Sequence, residues 1–222
     1  MEIISGMVGS FLVALSALFS IVNPIGGALI YSQVTLGRPH PERVALAYRV
    51  AFYSAVVMLS ALWIGATLMN FFGVSIDALR VAGGLVVAAS AWGMLNDPKE
   101  REDRKQDHAS AAALGSDVAF FPLTMPFTTG PGTISVAIAL SASRPSAANE
   151  LLPFYAGASG AAIAVAFVIA ICYASADRLV ALLGPVRARI LTRLSAFLLL
   201  CIGVQILISG VQGALSTTLA HR

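Results

Sequence analysis

PLTMPFTTGPG, residues 122–132, puts three prolines, two glycines and three threonines into eleven positions of an apolar stretch that runs from about 118 to 141. An α-helix interior tolerates this badly, because each proline lacks an amide hydrogen and its ring meets the carbonyl four residues back. Hydrocarbon tolerates a broken helix worse, since freed backbone groups find no water there. A break at this place therefore needs a lined cavity or burial in protein. The rest of the chain supplies the context.

The chain has 222 residues, a mean hydropathy of +0.84 and only 11% charged residues. A soluble domain of this length needs far more charge to cover its surface. The charges also cluster, leaving several uncharged apolar runs of about 20 residues, enough to cross roughly 30 Å of hydrocarbon as a helix. The fold class expected is an all-α, multi-pass membrane protein. Six spans are drawn at about 8–34, 46–71, 74–95, 118–141, 151–175 and 191–215, with a mixed-charge linker at 96–117. The net charge of +3 gives no basic stripe with interleaved aromatics, so nucleic acid is not an expected partner. Cys172 and Cys201 both fall in apolar runs and read as small apolar fillers. The opening MEIISGMVGS carries Glu2 and no positive segment or cleavage site, and reads as the start of a retained helix.

Counting Lys and Arg by connection gives eleven on one side, at Arg38, Arg43, Arg49, Lys99, Arg101, Arg104, Lys105, Arg178, Arg187, Arg189 and Arg193. Three lie on the other, at Arg80, Arg144 and Arg222. The positive-inside bias places the eleven, and the 96–117 loop, in the cytoplasm and both termini outside.

The two halves, 1–95 and 118–222, answer each other. Asn23-Pro24 in span 1 pairs with Gly130-Pro131 in span 4 at an offset of 107, and Arg38-Pro39 pairs with Arg144-Pro145 at 106. Arg80-Val81-Ala82-Gly83 opening span 3 pairs with Arg193-Leu194-Ser195-Ala196 opening span 6 at 113. With three spans per half, the second copy must be upside down. Inverted 3+3 repeats with helices 1 and 4 interrupted are the arrangement of alternating-access transporters.

Each break reads as the start of a half-helix, over roughly 24–36 and 131–141. Proline suits the first helical position and Asn the position before it. Such starts carry partial positive charge and suit an anionic group such as a carboxylate. Asn23, Pro24, Gly26, Thr128, Thr129, Gly130, Pro131 and Gly132 are the candidate substrate-binding residues. Asn23, Thr128 and Thr129 are the side chains expected to touch substrate. Thr124 is expected to bond a carbonyl of its own helix, and Gln205 either faces the cavity or joins helices.

Other chemistries are weaker. Gly157-Ala158-Ser159-Gly160 matches the GxSG pattern of intramembrane serine proteases, but all three histidines lie in loops or the tail and no lysine lies in a span. Close helix packing explains it better, as it does Gly83 and Gly84. No cluster of His, Cys and acids has metal-ligand spacing. All eleven acids fall in loops, tails or span ends, which disfavours coupling through a buried carboxylate and leaves a sodium site of carbonyls and hydroxyls, or no coupling, open. The chain is read as a non-enzyme without a cofactor, with coupling to sodium or protons left open.

NPIG at 23–26, ALRVAGGLVV at 78–87, PLTMPFTTGPGTIS at 122–135 and RLSAFLLLCIGVQILISGV at 193–211 together resemble the MarC family of bacterial inner-membrane proteins, over essentially the whole chain. That family is also described as neutral amino-acid transporters, although its name comes from a multiple-antibiotic-resistance locus. The motif positions that match are Asn23, Pro24 and Gly26, then Pro126, Gly130, Pro131 and Gly132. The resemblance implies an inner-membrane secondary transporter of small neutral amino acids or similar small metabolites, working by alternating access around a midplane site. Two other readings stand beside it: a non-transporting membrane scaffold or assembly protein, and a multidrug or metabolite exporter, which the 8% aromatic content makes the weaker.

Overall fold

The computed structural model describes residues 2–35, 37–96 and 118–220; the expected linker at 96–117 lies, from 97 on, outside the described residues. These residues form helices α1 (Glu2–Val22), α2 (Pro24–Val34), α3 (His40–Phe71), α4 (Ile76–Asn96), a proline-broken helical segment α5 (Ala119–Thr128), α6 (Pro131–Ala142), α7 (Ala148–Ala174) and α8 (Ala176–Ala220). Among the described residues there is no strand. Five stretches are long and apolar enough to cross a bilayer: Ser5–Ser32, His40–Phe71, Ile76–Asn96, Ala148–Ala174 and Ala196–Ser216.

Two sequence expectations are corrected. In the fourth expected span, 118–141, the interruption before Pro131 is present, but the part ahead of it is not the regular half-helix expected of an apolar span. Pro122 and Pro126 withhold two amides, and Phe121 and Met125 take extended backbone angles (φ −123°, ψ 120° and φ −113°, ψ 125°). What remains bonds five residues back, Leu123 N–H to Val118 O at 3.3 Å and Thr129 N–H to Thr124 O at 2.8 Å. Only after Gly130 does a regular helix, α6, begin. The second correction concerns the stretch between spans 5 and 6, read as a loop because of its arginines. It is helical, so that α8 runs 45 residues from Ala176. Leu, Ala and Arg are strong helix formers, and Asp177 in the first turn meets the favourable end of the helix dipole.

Two ends of the bundle can be told apart. At one, Arg43 in the second turn of α3 donates to both carboxylate oxygens of Asp177 at 2.9 and 2.8 Å. At the other, Arg80 of α4 donates to the carbonyls of Ala142 at 2.7 Å and Arg144 at 3.1 Å, and pairs with Asp77 at 3.3 Å. Arg144 there donates to the Tyr155 hydroxyl, whose ring stacks on Trp63, and the Trp63 indole donates to Ser159.

Lipid offers no hydrophobic drive between helices, so packing rests on close approach. α1 lies along α7, α3 along α5, α2 against α8 and α6 against α4; α4 with α8 is the most extensive pair. Small residues make these contacts. A Cβ on Gly157 would meet the Met7 carbonyl of α1, which accounts for the GxSG stretch as packing. A Cβ on Gly84 would stand 2.8 Å from the Gly203 carbonyl and 2.6 Å from the Leu207 amide. Gln205 is exposed on α8, away from this seam.

Candidate substrate site

The first break is a single residue wide. Asn23 N–H still bonds Phe19 O at 2.9 Å as the end of α1, and Asn23 O already accepts from Gly27 N–H at 2.9 Å as the start of α2. Between them Asn23 takes φ +51°, the left-handed region in which Asn is among the few tolerated side chains. Its side chain turns forward, and Oδ1 accepts from the Gly26 amide at 3.2 Å. Asn23 is therefore the N-cap of α2, with Pro24 in the first helical position, as the sequence led us to expect. Gly26 is needed for this cap, because a Cβ there would meet the Asn23 amide nitrogen. Pro24 and Gly26 are buried; Asn23 is half-buried.

The second break differs. Gly130 stands before Pro131 with φ −75° and ψ −177° and has no side chain to cap α6. Ile134 N–H bonds Gly130 O at 3.2 Å and Thr133 N–H bonds it at 2.9 Å, so the first turn of α6 is tight. Pro131 is exposed, Gly130 and Gly132 half-buried. Thr128 and Thr129 are buried, and their hydroxyls turn back on the broken segment, to Leu123 O at 2.7 Å and Thr124 O at 3.2 Å. Thr124 likewise bonds Ala119 O at 2.7 Å, the fate expected of it.

One side chain joins the two breaks. The Tyr173 hydroxyl, from α7, lies 3.1 Å from Thr128 Oγ1, and a Cβ on Gly27 would meet the same hydroxyl. Its ring stacks on Tyr31 of α2 at 4.7 Å between centroids, with Phe127 at 6.3 Å. The first turn of α2 and the end of α5 thus meet on Tyr173, while α1 packs against α6. The stack then leads outward. Tyr31 donates to Arg43 O at 2.6 Å, Thr35 donates to Tyr31 O at 2.6 Å, and Arg43 Nε donates to Thr35 Oγ1 at 3.0 Å. A continuous chain of contacts therefore runs from Thr128 to the Arg43–Asp177 pair.

Against known protein families, residues 8–215 match the MarC family integral membrane proteins. This chain belongs to the MarC family. A UPF0056 membrane protein of Methanocaldococcus jannaschii is 28% identical over 208 residues, covering 92% of this chain and 97% of its own. A UPF0056 membrane protein of Buchnera aphidicola is 31% identical over 209 residues, covering 94% and 93%. The UPF0056 inner membrane protein MarC of Salmonella typhimurium is 32% identical over 209 residues, covering 91% and 94%. No solved structure matches the chain. With its apolar helices, the MarC membership makes this a multi-pass integral membrane protein.

Tyr31, Tyr173 and the Arg43–Asp177 pair were not singled out by the sequence reading of this MarC-family chain. A signal existed for the tyrosines: each is a phenol inside an apolar run, and a buried hydroxyl requires a partner. Which partner it meets, across 45 residues for Thr128 and Tyr173 and 134 for Arg43 and Asp177, no local pattern carries.

Asn23 allows a test that separates its two roles. Asn23→Ala removes the cap and leaves at positive φ a residue without the polar side chain that eases that conformation, and should cost about 2 kcal/mol in unfolding by denaturing detergent. Asn23→Gly keeps the backbone freedom and should cost only a few tenths of a kcal/mol. Equal losses in the two variants would show that the left-handed backbone is not what Asn23 secures.

Proposed function

We propose that this protein is a secondary transporter in the inner membrane, carrying small neutral amino acids or similar small metabolites by alternating access. The observation that carries the reading is the pair of interrupted helices, restarting at Pro24 and at Pro131 and meeting through Tyr173. Irregular backbone at that depth is kept where a cavity or protein covers it, and half-helix starts favour a carboxylate. The packing supports an inverted repeat of six spans, counting α1 with α2 and α5 with α6 as one each. Exchanging the halves exchanges α2 on α8 with α6 on α4, and α1 on α7 with α5 on α3. In this reading the halves are 1–95 and 118–222, both termini lie outside and the Arg43 end faces the cytoplasm. Asn23, Gly26 and the Gly130–Gly132 turn then receive the substrate, with Thr128 and Thr129 reaching it when their bonds to their own segment open. Coupling is to sodium, held by carbonyls and hydroxyls, to protons without a buried carboxylate, or absent.

The test is a stability screen of purified protein with glycine, alanine and serine. A ligand bound only by the folded state at 100 times its Kd adds about 2.7 kcal/mol. The expected result is a rise in melting temperature with one of these amino acids, lost in the folded Asn23→Gly variant, and uptake of the same amino acid by liposomes. No rise and no uptake under either a sodium or a proton gradient would end the transport reading. One observation favours a second reading, a non-transporting scaffold: Thr128 and Thr129 are at most 2% exposed and their hydroxyls are bonded within their own segment. That reading expects Asn23→Gly to behave as wild type with every ligand.

A further inference from the structure

The first part of α8 is the surprise of the fold. Residues 178–195, RLVALLGPVRARILTRLS, hold four arginines and no acid, and no acid follows Asp177 anywhere in the chain. As a loop this stretch would be a solvated charge run. As a helix of 18 residues, rising about 1.5 Å each, it is a rod of basic and apolar residues with Gly184-Pro185 in its interior, where proline lacks the amide of a regular turn. Arg187 and Arg193 are exposed, and so are Val180, Leu182, Val186, Ile190 and Leu194, at 37%, 72%, 66%, 56% and 61%. The stretch itself carries no acid, and Asp177 at its start is held by Arg43.

Its place in the bundle follows from the contacts. Asp177 is fixed to Arg43, in the second turn of α3. Further along α8, Gly203 lies against Ala88, Gly210 against Arg80 and Gly213 against Asp77, so α8 runs antiparallel to α4 and Ala196 lies toward the Asn96 end. α3 and α4 are joined by residues 72–75 at the far side, so the beginning of α3 and the end of α4 share one end. Both limits of the 178–195 stretch are therefore at that end, and the rod runs across it. Its apolar span, Ala196–Ser216, begins where the rod stops. Beside its start, His40, Ala174, Ser175, Asp177 and Arg178 line a cavity of about 210 Å³.

We propose that residues 176–195 lie in the membrane interface and form a docking surface for anionic phospholipid headgroups. The aliphatic side chains enter the acyl boundary, and Arg178, Arg187 and Arg193 reach phosphate, their stems along apolar surface and their guanidinium groups in the polar layer. Arginine matches phosphate geometry with two parallel donors. The occupant is a lipid and not a free anion, because five exposed aliphatic residues share the rod with the cations. The inference stands independently of the transport reading, since a scaffold with this helix would bind the same lipids.

The experiment titrates detergent-solubilised full-length protein with phosphatidylglycerol and reads bound lipid by native mass spectrometry, beside phosphatidylcholine and inorganic phosphate. Phosphatidylglycerol should bind preferentially, and replacing Arg178, Arg187 and Arg193 with Gln should weaken it roughly 100-fold, at about 5-fold per cation. The corresponding Lys variant should lose no more than about 10-fold, because charge is kept and only the paired donors are lost. Equal binding of phosphatidylcholine by the wild type overturns the proposal even if the Gln variant does not fold. So does a Gln variant within about 3-fold of wild type, or displacement of the lipid by millimolar inorganic phosphate, which would mark a free-anion pocket instead.

Discussion

Gly27→Ala should destabilise the protein by about 2 kcal/mol and should abolish any response to ligand. The added methyl meets the Tyr173 hydroxyl and stands 3.2 Å from two of its ring atoms. A phenol at the surface would swing aside. This one is 2% exposed, stacked on Tyr31 and bonded to Thr128, so it moves only by breaking those contacts. The alternative is for α2 to back away, which separates the first turn of α2 from the end of α5. Tyr173→Phe removes the colliding oxygen, so the double variant should recover part of the loss, while Tyr173→Phe alone loses only the hydrogen bond. A double variant no more stable than Gly27→Ala, measured by detergent unfolding, would mean that Tyr173 is not what fills the space beside Gly27.

Arg80→Gln should cost about 2–3 kcal/mol. Arg80 gives two carbonyls at the end of α6 their donors and neutralises Asp77, with its own side chain 19% and that of Asp77 25% exposed. Glutamine is shorter and uncharged, leaving carbonyl oxygens without partners and a half-buried carboxylate without its cation. The corresponding loss at the other end is smaller. Arg43→Gln breaks a pair whose Asp177 side chain is 54% exposed, so about 1 kcal/mol is expected after solvent screening. The two effects should add, because the pairs sit at opposite ends of the bundle and share no partner. Under the proposed alternating-access function they should act in opposite senses in transport assays. Each pair ties the carboxyl end of a half-helix to the other half of the chain: α6 to α4 through Arg80, and α2 to α8 through Arg43 and Asp177. Loosening one end should favour the conformation open there, read as opposite changes in cysteine accessibility at the two ends. Identical accessibility changes in both variants would leave the pairs as fasteners only.

Much of this was legible in the residues. Proline chemistry alone places the interruptions, since Pro24 and Pro131 cannot continue a helix and each favours starting one; the half-helices observed, Pro24–Val34 and Pro131–Ala142, begin there. The Asn23 cap was legible because its residue type and its place before proline are local properties. The packing role of Gly157 and Gly84 was legible for a similar reason, as small residues in lipid-facing helices have few other uses. The reading failed where composition was made to stand for conformation. Arginines at 178–193 suggested a loop, yet charge does not stop a helix whose residues favour one and whose first turn is pinned by an ion pair. Nor does hydropathy tell that 119–128 bonds five residues back, because it measures partition and not hydrogen bonding.

The sequence by itself determined that this chain crosses a membrane, belongs with MarC proteins and restarts helices at Pro24 and Pro131. These follow from side-chain hydrophobicity and from the missing amide of proline, which act within a few residues. Only the tertiary structure decided that Tyr173 joins the breaks, that Arg43 finds Asp177 and Arg80 the end of α6, and that an arginine-rich rod crosses one end of the bundle. Those contacts link residues 134 positions apart for Arg43 and Asp177, and farther still for Tyr31 and Tyr173. Their energy depends on distance in space, which packing of the whole chain sets and no local pattern encodes.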